Sequence, residues 1–383
     1  MSRILFTILD GGCDGIIRAK ENKSALVLRY LKSGGNVTLP FDYAAGVMGG
    51  LVYTVSPGIV PSTPAAVLSL LGYDLSSYTG RGVFEALGLG LKVNDGDVAF
   101  RANVVKLSPG NSFFESKIIN RRVNANVEER IKDVARKRGA EVKFEGYRGA
   151  IVFKELNVDP RRIRDVDPKR TGENPRPTGI DRIDGFLEDV YEILKGESLG
   201  ILIRGASTRL YLEKHVDTVV SIDPVPVIRG IAKAIGARFL SPKGKLKFDK
   251  DGSKKVVELL KEATGNVVVL HFKAPDTYSH AGSLEDKVNA LLRIEKTRSY
   301  ALHELKDVDR RVVTCDHCTD TLRRRHTSDP VPYAILKRGA VQSLSRRFTC
   351  IHLASGELSG LRGKEAFRYL LDLTDISIER LER

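Results

Sequence analysis

The sequence predicts an α/β protein: a doubly wound, mainly parallel sheet with a smaller α/β domain inserted into it. Short β-branched runs each end in a polar or glycine-containing turn and lead into a helical pattern, the alternation that builds parallel sheets covered on both faces. One segment breaks that alternation and reads as hairpin-like strands around a helix. With 383 residues, 42% of them hydrophobic, the chain suffices for two domains and at least one large core.

In chain order, "RILFTILDGG" is the first strand and delivers Asp10 to its C-terminal end. "SPGIVPSTPAAVLSLLGYD" predicts a helix start, with Thr63 as N-cap, Pro64 at the first helical position and an apolar helix from Ala65. From Val93 to Asp159 come "DVAFRANVVKL", the helical "NVEERIKDVARKRG" and "EVKFEGYRGAIVFKEL", a compact mixed unit. Its exit, "NVDPRRIRDVDPKRTGENPRPTG", is rich in Pro, Gly and charge, has no periodicity and reads as a linker or flap. The remaining strands are "LGILIRGAS", "DTVVSIDP", "ARFLSP", "NVVVLHFKAPD" and "RRVVTCDH". The expected domains are therefore 1–92 with 180–383 as a discontinuous main domain, 93–159 as the insert and 160–179 as linker or flap.

Composition excludes several function classes. No stretch approaches the ~18 to 20 apolar residues of a membrane span, so a soluble, cytoplasmic protein is expected. Cysteines at 13, 315, 318 and 350 are too few and too irregular for a disulfide framework, and Cys315-x-x-Cys318 lacks the second pair of a structural zinc site. A net charge of +14 suits an anionic small substrate or a nucleic acid. The basic residues are scattered and lack aromatic interleaving, which argues against nucleic acid. Oligomeric state stays open, a homo-oligomer among the alternatives. The absence of Trp, only two Met and abundant Lys and Arg suit a thermophile.

Chemistry concentrates at the strand ends. Asp10, Asp276 and the Asp316-His317 pair each stand just past a predicted strand, the rim where such sheets bind ligands. Asp276 and His280 are four residues apart, so one helical turn sets both on one face. With His326 these make an oxygen and nitrogen donor set for Mn2+, Zn2+, Co2+ or Mg2+. A lone His or Asp is an ordinary surface residue; the convergence at equivalent strand ends is what points to a metal site. A Thr63 or Ser62 hydroxyl at a helix N-terminus faces unsatisfied N–H groups that favour a phosphoryl group, and metal contact would turn it into a nucleophile.

These pieces resemble the archaeal-type cofactor-independent phosphoglycerate mutases of the alkaline phosphatase superfamily. The resemblance is carried by "ILDG" at Asp10, "LGYDLSSYTGRGVFEALGLGLKVNDGDVAFRAN", "EGYRGAIVF", "DVDPKRTGENP", "LIRGAS", "HFKAPDTYSHAG" and "TCDH" followed by "HTSDPVP", in family order. It implies an alkaline phosphatase-like sheet and two divalent ions, with no 2,3-bisphosphoglycerate. One ion would be held by Asp276, His280 and His326, the other by Asp10, Asp316 and His317 beside the nucleophile. The implied activity is that of an isomerase of glycolysis and gluconeogenesis, interconverting 3-phosphoglycerate and 2-phosphoglycerate through a phosphoenzyme. Manganese is the metal of first choice, and the partner is a small phosphorylated carboxylate. Counting back from Leu71-Gly72-Tyr73-Asp74 sets the family's nucleophilic Ser on Thr63, with Ser62 before it. Arg101, Arg148, Arg204 and Lys273 are the candidate grips for phosphate and carboxylate. The chain departs from the family where Ser62-Thr63-Pro64-Ala65-Ala66-Val67 stands for Gly-Ser-Asp-Thr-Ala-His, and where Cys315 replaces a Gly. Two alternatives stand beside the mutase: a phosphomonoesterase or phosphodiesterase of the same superfamily, and a non-catalytic relative that binds anions or nucleic acid.

Overall fold

The computed structural model describes residues 3–32, 45–244, 246–247, 249–305, 307–338 and 348–372. The chain forms two compact units, the first from Met1–Leu75, Leu212–Pro224 and Ile235–Arg383, the second from Ser76–Tyr211 and Val225–Ala234. The first unit opens with β1 (Arg3–Leu9), α1 (Ile16–Lys20), α2 (Ala25–Lys32), β2 (Ala45–Val52) and α3 (Thr63–Leu70). The second contains α4 (Gly82–Leu89), β3 (Val98–Ser108), β4 (Lys117–Asn120), α5 (Glu128–Lys137), β5 (Ala140–Glu145), β6 (Arg148–Phe153), α6 (Asp181–Leu194) and β7 (Leu199–Ser207). The chain returns to the first unit for β8 (Thr218–Ile222) and gives α7 (Pro226–Ala234) to the second. It then completes the first with β9 (Arg238–Leu240), α8 (Lys250–Glu262), β10 (Val267–Phe272), α9 (Ala274–Ala281), α10 (Leu284–Glu304), β11 (Val308–Thr314), β12 (Cys318–Asp320), β13 (Arg325–Thr327), β14 (Val331–Arg338) and α11 (Gly363–Asp372).

The large sheet of the first unit has the order β2-β14-β11-β1-β10-β8-β9. The run from β11 to β9 is parallel, while β14 and β2 join antiparallel at one edge. In the centre, Ile4–Leu9 of β1 and Val267–Phe272 of β10 are buried throughout, which is why both strands read as continuous apolar runs. Register sets the functional rim: Leu9 pairs with Phe272 and Ile8 with Thr314, so three neighbouring strands end at the same level. Whatever follows them is delivered to one edge of the sheet.

The second unit is built on an antiparallel sheet in which β3 pairs with β4, β6 and β7, and β6 with β5. Its core includes Phe100, Phe153 and Phe186, with Phe153 meeting both others edge-on. This unit runs wider than the expected 93–159 segment. "LGILIRGAS", expected among the parallel strands, is β7 and lies antiparallel to β3. Its periodicity was no guide, because an apolar run buried on both faces looks the same in either sheet. The stretch 160–179 also belongs to the second unit: Val166 is fully buried, its N–H donates to the Ile203 carbonyl and its own carbonyl accepts from Arg176 N–H. Its backbone is satisfied by neighbouring strands without forming one, so no pattern marks it.

Two local features also differ from expectation. Thr63 is the first residue of α3, and its N-cap is Ser62, whose backbone is extended. Cys13 and Cys318 form a disulfide across 305 residues of sequence, while Cys315 and Cys350 are free and buried. Spacing alone could not reveal that pair, because the sheet brings together loops from opposite ends of the chain. No helix among the described residues is long and apolar enough to cross a membrane.

Candidate active site

The rim of the large sheet assembles the predicted donors. Asp10 follows β1, Asp316 and His317 follow β11, and α9 starts two residues after β10, so Asp276 and His280 lie one turn apart on it. His326 comes from the β12–β13 hairpin, opposite Thr319. The six are brought together. His280 Nε2 and His326 Nε2 lie 3.2 Å apart, and Asp276 Oδ1 is 3.4 and 3.6 Å from them. His317 Nε2 is 3.5 Å from Asp10 Oδ1 and 3.2 Å from Asp316 Oδ2. Donor atoms of Asp276, His280 and His326 form one group within 4.8 Å, and those of Asp10, Asp276 and His317 another, so Asp276 is common to both. Thr63 Oγ1 approaches His317 Nε2 to 3.2 Å. Ser62, half-buried, stands one residue back at the N-cap and makes no capping bond with its side chain.

The three imidazoles are held the same way round. His317 Nδ1 bonds Thr319 Oγ1 at 3.0 Å, His280 Nδ1 donates to the Arg324 carbonyl at 3.1 Å, and His326 Nδ1 donates to the Pro61 carbonyl at 3.0 Å. A carbonyl can only accept, so Nδ1 of His280 and His326 carries a proton, and Nε2 is the ring nitrogen turned to the site. Thr319 Oγ1 also donates to Asp276 Oδ1 at 3.1 Å, tying the two donor groups together. Such outer partners fix a ligand's tautomer and aim.

Electrostatics show what the site needs. Asp10, Asp276 and Asp316 are all buried, and the ammonium facing them is Lys273, with Nζ 3.0 Å from Asp10 and 2.5 Å from Asp276. Burial is the largest influence on Asp10 and Asp276 and works against both anions, but Lys273 together with the neighbouring histidines holds both below the ordinary carboxylate range. Burial likewise works against the Lys273 cation, and the two carboxylates raise it above an ordinary lysine. For Asp316 the balance falls the other way. Burial and the nearby Asp10 charge push it well above the ordinary range, and its Oδ2 makes no hydrogen bond despite being buried. Burial and His326 keep His317 well below an ordinary histidine, in the neutral form that ligates. An orphaned buried carboxylate oxygen beside neutral imidazoles fits divalent cations, which would supply the missing positive charge.

Sequence reasoning gave Lys273 to substrate anions; the structure sets its ammonium between two carboxylates. It missed His271, whose Nε2 lies 3.0 Å from Asp10 Oδ2 and whose Nδ1 is 3.1 Å from Ser221 Oγ. The available signal was a His inside the apolar run "VVVLHF", where burial demands polar partners.

Arg101, Arg148 and Arg204 lie in the second unit. Arg101 stands opposite Arg204 across β3–β7, and Asn103 opposite Arg148 across β3–β6. Glu85 is the anion beside Arg101: its Oε1 accepts from Arg81 Nε at 2.9 Å and lies 3.4 Å from Arg101. Arg204 bonds Asp167 at 3.2 Å, and Arg148 bonds the Tyr147 hydroxyl. Burial first, and then mutual repulsion with Arg81, lower the Arg101 and Arg204 guanidinium pKa values. This concentration of guanidinium forks matches carboxylate and phosphate groups.

A parallel sheet whose strand ends gather three carboxylates and three imidazoles around a hydroxyl defines a metalloenzyme of the α/β class, and residues 237–366 match the Metalloenzyme superfamily. Residues 44–198 match the family described as 2,3-bisphosphoglycerate-independent phosphoglycerate mutase. A protein of that name from Pyrobaculum calidifontis is 30% identical over 98% of this chain and 99% of its own. Another, from Archaeoglobus fulgidus, is 27% identical over 86% and 90%. Among solved structures, a Pyrococcus horikoshii protein superposes with a TM-score of 0.74 at 25% identity over 98% of both chains. The cofactor-independent phosphoglycerate mutase of Thermoplasma acidophilum shares the fold, with a TM-score of 0.61 at 23% identity over 97% and 100%. The chain belongs to the 2,3-bisphosphoglycerate-independent phosphoglycerate mutase family.

Proposed function

We propose that the chain interconverts 3-phosphoglycerate and 2-phosphoglycerate through a phosphorylated Thr63, serving glycolysis and gluconeogenesis in the cytoplasm. The observation that carries this reading is the 3.2 Å approach of Thr63 Oγ1 to His317 Nε2, at the rim where Asp10, Asp276, Asp316, His280 and His326 also converge. Thr63 attacks phosphorus in line, the glycerate leaves and turns, and its other hydroxyl takes the phosphoryl group back. When bound, two divalent ions, Mn2+ first among Zn2+, Co2+ and Mg2+, lower the Thr63 hydroxyl pKa and balance phosphoryl charge. Asp276, His280 and His326 hold one, and Asp10, Asp316 and His317 the other. Lys273 keeps Asp10 and Asp276 ionised and aimed. The first turn of α3 carries Thr63 at the positive end of the helix dipole, which attracts phosphoryl oxygens. Arg101, Arg148 and Arg204 recognise the substrate's anionic groups, and Ser62 is the second candidate hydroxyl.

The test is to supply 3-phosphoglycerate with Mn2+ or Co2+, omit 2,3-bisphosphoglycerate, and measure 2-phosphoglycerate and free phosphate together. Formation of 2-phosphoglycerate with little free phosphate is expected. Free phosphate as the main product would make the chain a phosphatase, and neither product would leave an anion-binding relative.

A further inference from the structure

The mechanism above does not use the sulfur cluster, although it lies against the ligands. Cys13 is three residues beyond Asp10, and Cys318 immediately follows His317. We propose that the Cys13–Cys318 disulfide is a positioning element of the metal centre, holding the Asp10 segment in register with the Asp316–His317 segment. Its reduction weakens the ion those residues hold and spares the other. This rests on the two-ion reading given above.

Several observations converge on the junction. Gly12 and Cys13 both form backbone bridges with Cys318, and Thr319 N–H donates to the Cys13 carbonyl at 2.8 Å. Gly11 N–H donates to Asp316 Oδ1 at 2.9 Å, linking the same two segments at the ligand itself. Lys287, fully buried, donates to the carbonyls of Cys13 and Thr319 and to Asp14. These bonds oppose the mutual repulsion of Asp10 and Asp316, buried carboxylates on the two segments. The disulfide is the covalent member of the set. Asp10 and the Asp316–His317 pair lie within three residues of the bridged cysteines, whereas His280 stands on α9 and His326 is reached from Cys318 only across the β12–β13 hairpin, so the disulfide constrains one donor group more directly than the other.

Reduction takes two electrons and two protons from a dithiol, which becomes a disulfide while Cys13 and Cys318 become thiols. Both sulfurs are buried, so the reductant reaches them when the rim opens. Linkage then requires reciprocity: if the disulfide tightens the ion, the ion protects the disulfide by the same factor. Cys350 complicates reoxidation, because its sulfur lies within 4.8 Å of both partners and offers an alternative pairing.

The experiment uses the full chain carrying Cys350→Ser, with Mn2+ alone as probe. Peptide mapping of the unreduced protein should link Cys13 to Cys318. Mn2+ titration, followed by its magnetic resonance signal, is compared for oxidised protein, for reduced protein desalted without air, and for a Cys13→Ser, Cys318→Ser variant. Two ions are expected in the oxidised form. In the other two forms one ion should weaken about 10- to 100-fold, the range for lost outer support of a metal ligand, while the second is unchanged. Saturating Mn2+ should slow reduction of the disulfide in the oxidised protein. Equal affinities in all three forms would overturn the proposal, as would loss of both ions together with the near-ultraviolet signature of the fold. No Mn2+ bound by the oxidised form would instead sink the metal reading itself, and the staple's role with it.

Discussion

Thr63 and Ser62 are neighbours with different surroundings, and the difference can be measured. Thr63 is buried with its hydroxyl against His317, whereas Ser62 is half-buried at the cap. Thr63→Ala should abolish turnover and retain Mn2+ binding; Ser62→Ala should cost less than tenfold, about 1.4 kcal/mol of barrier. Phosphate mapped to Ser62 by mass spectrometry would reverse the assignment. Glu85 gives a prediction with a pH signature. Burial opposes its charge, but Arg81 and Arg101 outweigh it and lower its pKa from the usual 4.5. Removing one partner of a buried charge set costs about 3–5 kcal/mol, so Glu85→Gln should be destabilised by that order at pH 7. A lowered folded pKa means this contribution is complete above the unfolded value and is lost as pH falls through the folded one. The gap between wild type and variant, read from urea unfolding, should therefore persist near pH 5 and close below 4.5. A constant gap from pH 7 to pH 3 would refute the ion-pair account. Among the donors at the rim, Asp10, Asp316 and His317 were legible because they directly follow strands, and strand ends are visible as the close of an apolar run. His271 and the role of Lys273 were not, because their partner Asp10 lies more than 260 positions away and only strand pairing makes them adjacent.

Helices α4 and α7 cross with backbone against backbone. A Cβ on Gly230 would stand 1.7 Å from the Phe84 carbonyl oxygen, and one on Gly88 1.8 Å from the Pro226 carbonyl oxygen. Neither obstacle is a side chain that can turn away. Gly230→Ala should therefore destabilise the second unit by about 1–3 kcal/mol or more, despite alanine's better helix propensity. A thermal midpoint equal to or above wild type would show that the crossing relaxes freely. At this scale the sequence spoke clearly for β1, β8, β10 and β11, whose flanks and burial agree with one architecture. It misled for β7, where the same apolar pattern serves an antiparallel neighbour, and for 160–179, where irregular backbone is fixed by strands on either side.

For the whole molecule, removing divalent ions should loosen one unit and spare the other. Ligand at about 100 times its dissociation constant adds ~2.7 kcal/mol to the state that binds it. After chelation, amides of β1, β10 and β11 should exchange faster with deuterated water, and those of β3 and β7 should not. Uniform acceleration in both units would contradict this localisation. The division into units also has a consequence for biosynthesis. The second unit is complete once Ala234 has been made, but the neighbours of β1 are β10 and β11, which come later still. At about 5–20 residues per second, the stretch from Ala234 to His326 occupies the ribosome for on the order of ten seconds. Until Val267–Phe272 has been made, the nascent chain carries a finished antiparallel unit and an apolar first strand whose neighbours do not yet exist. The donor rim is thus assembled only after the second unit, and a ribosome halted before His326 holds every part of that unit but an incomplete donor set.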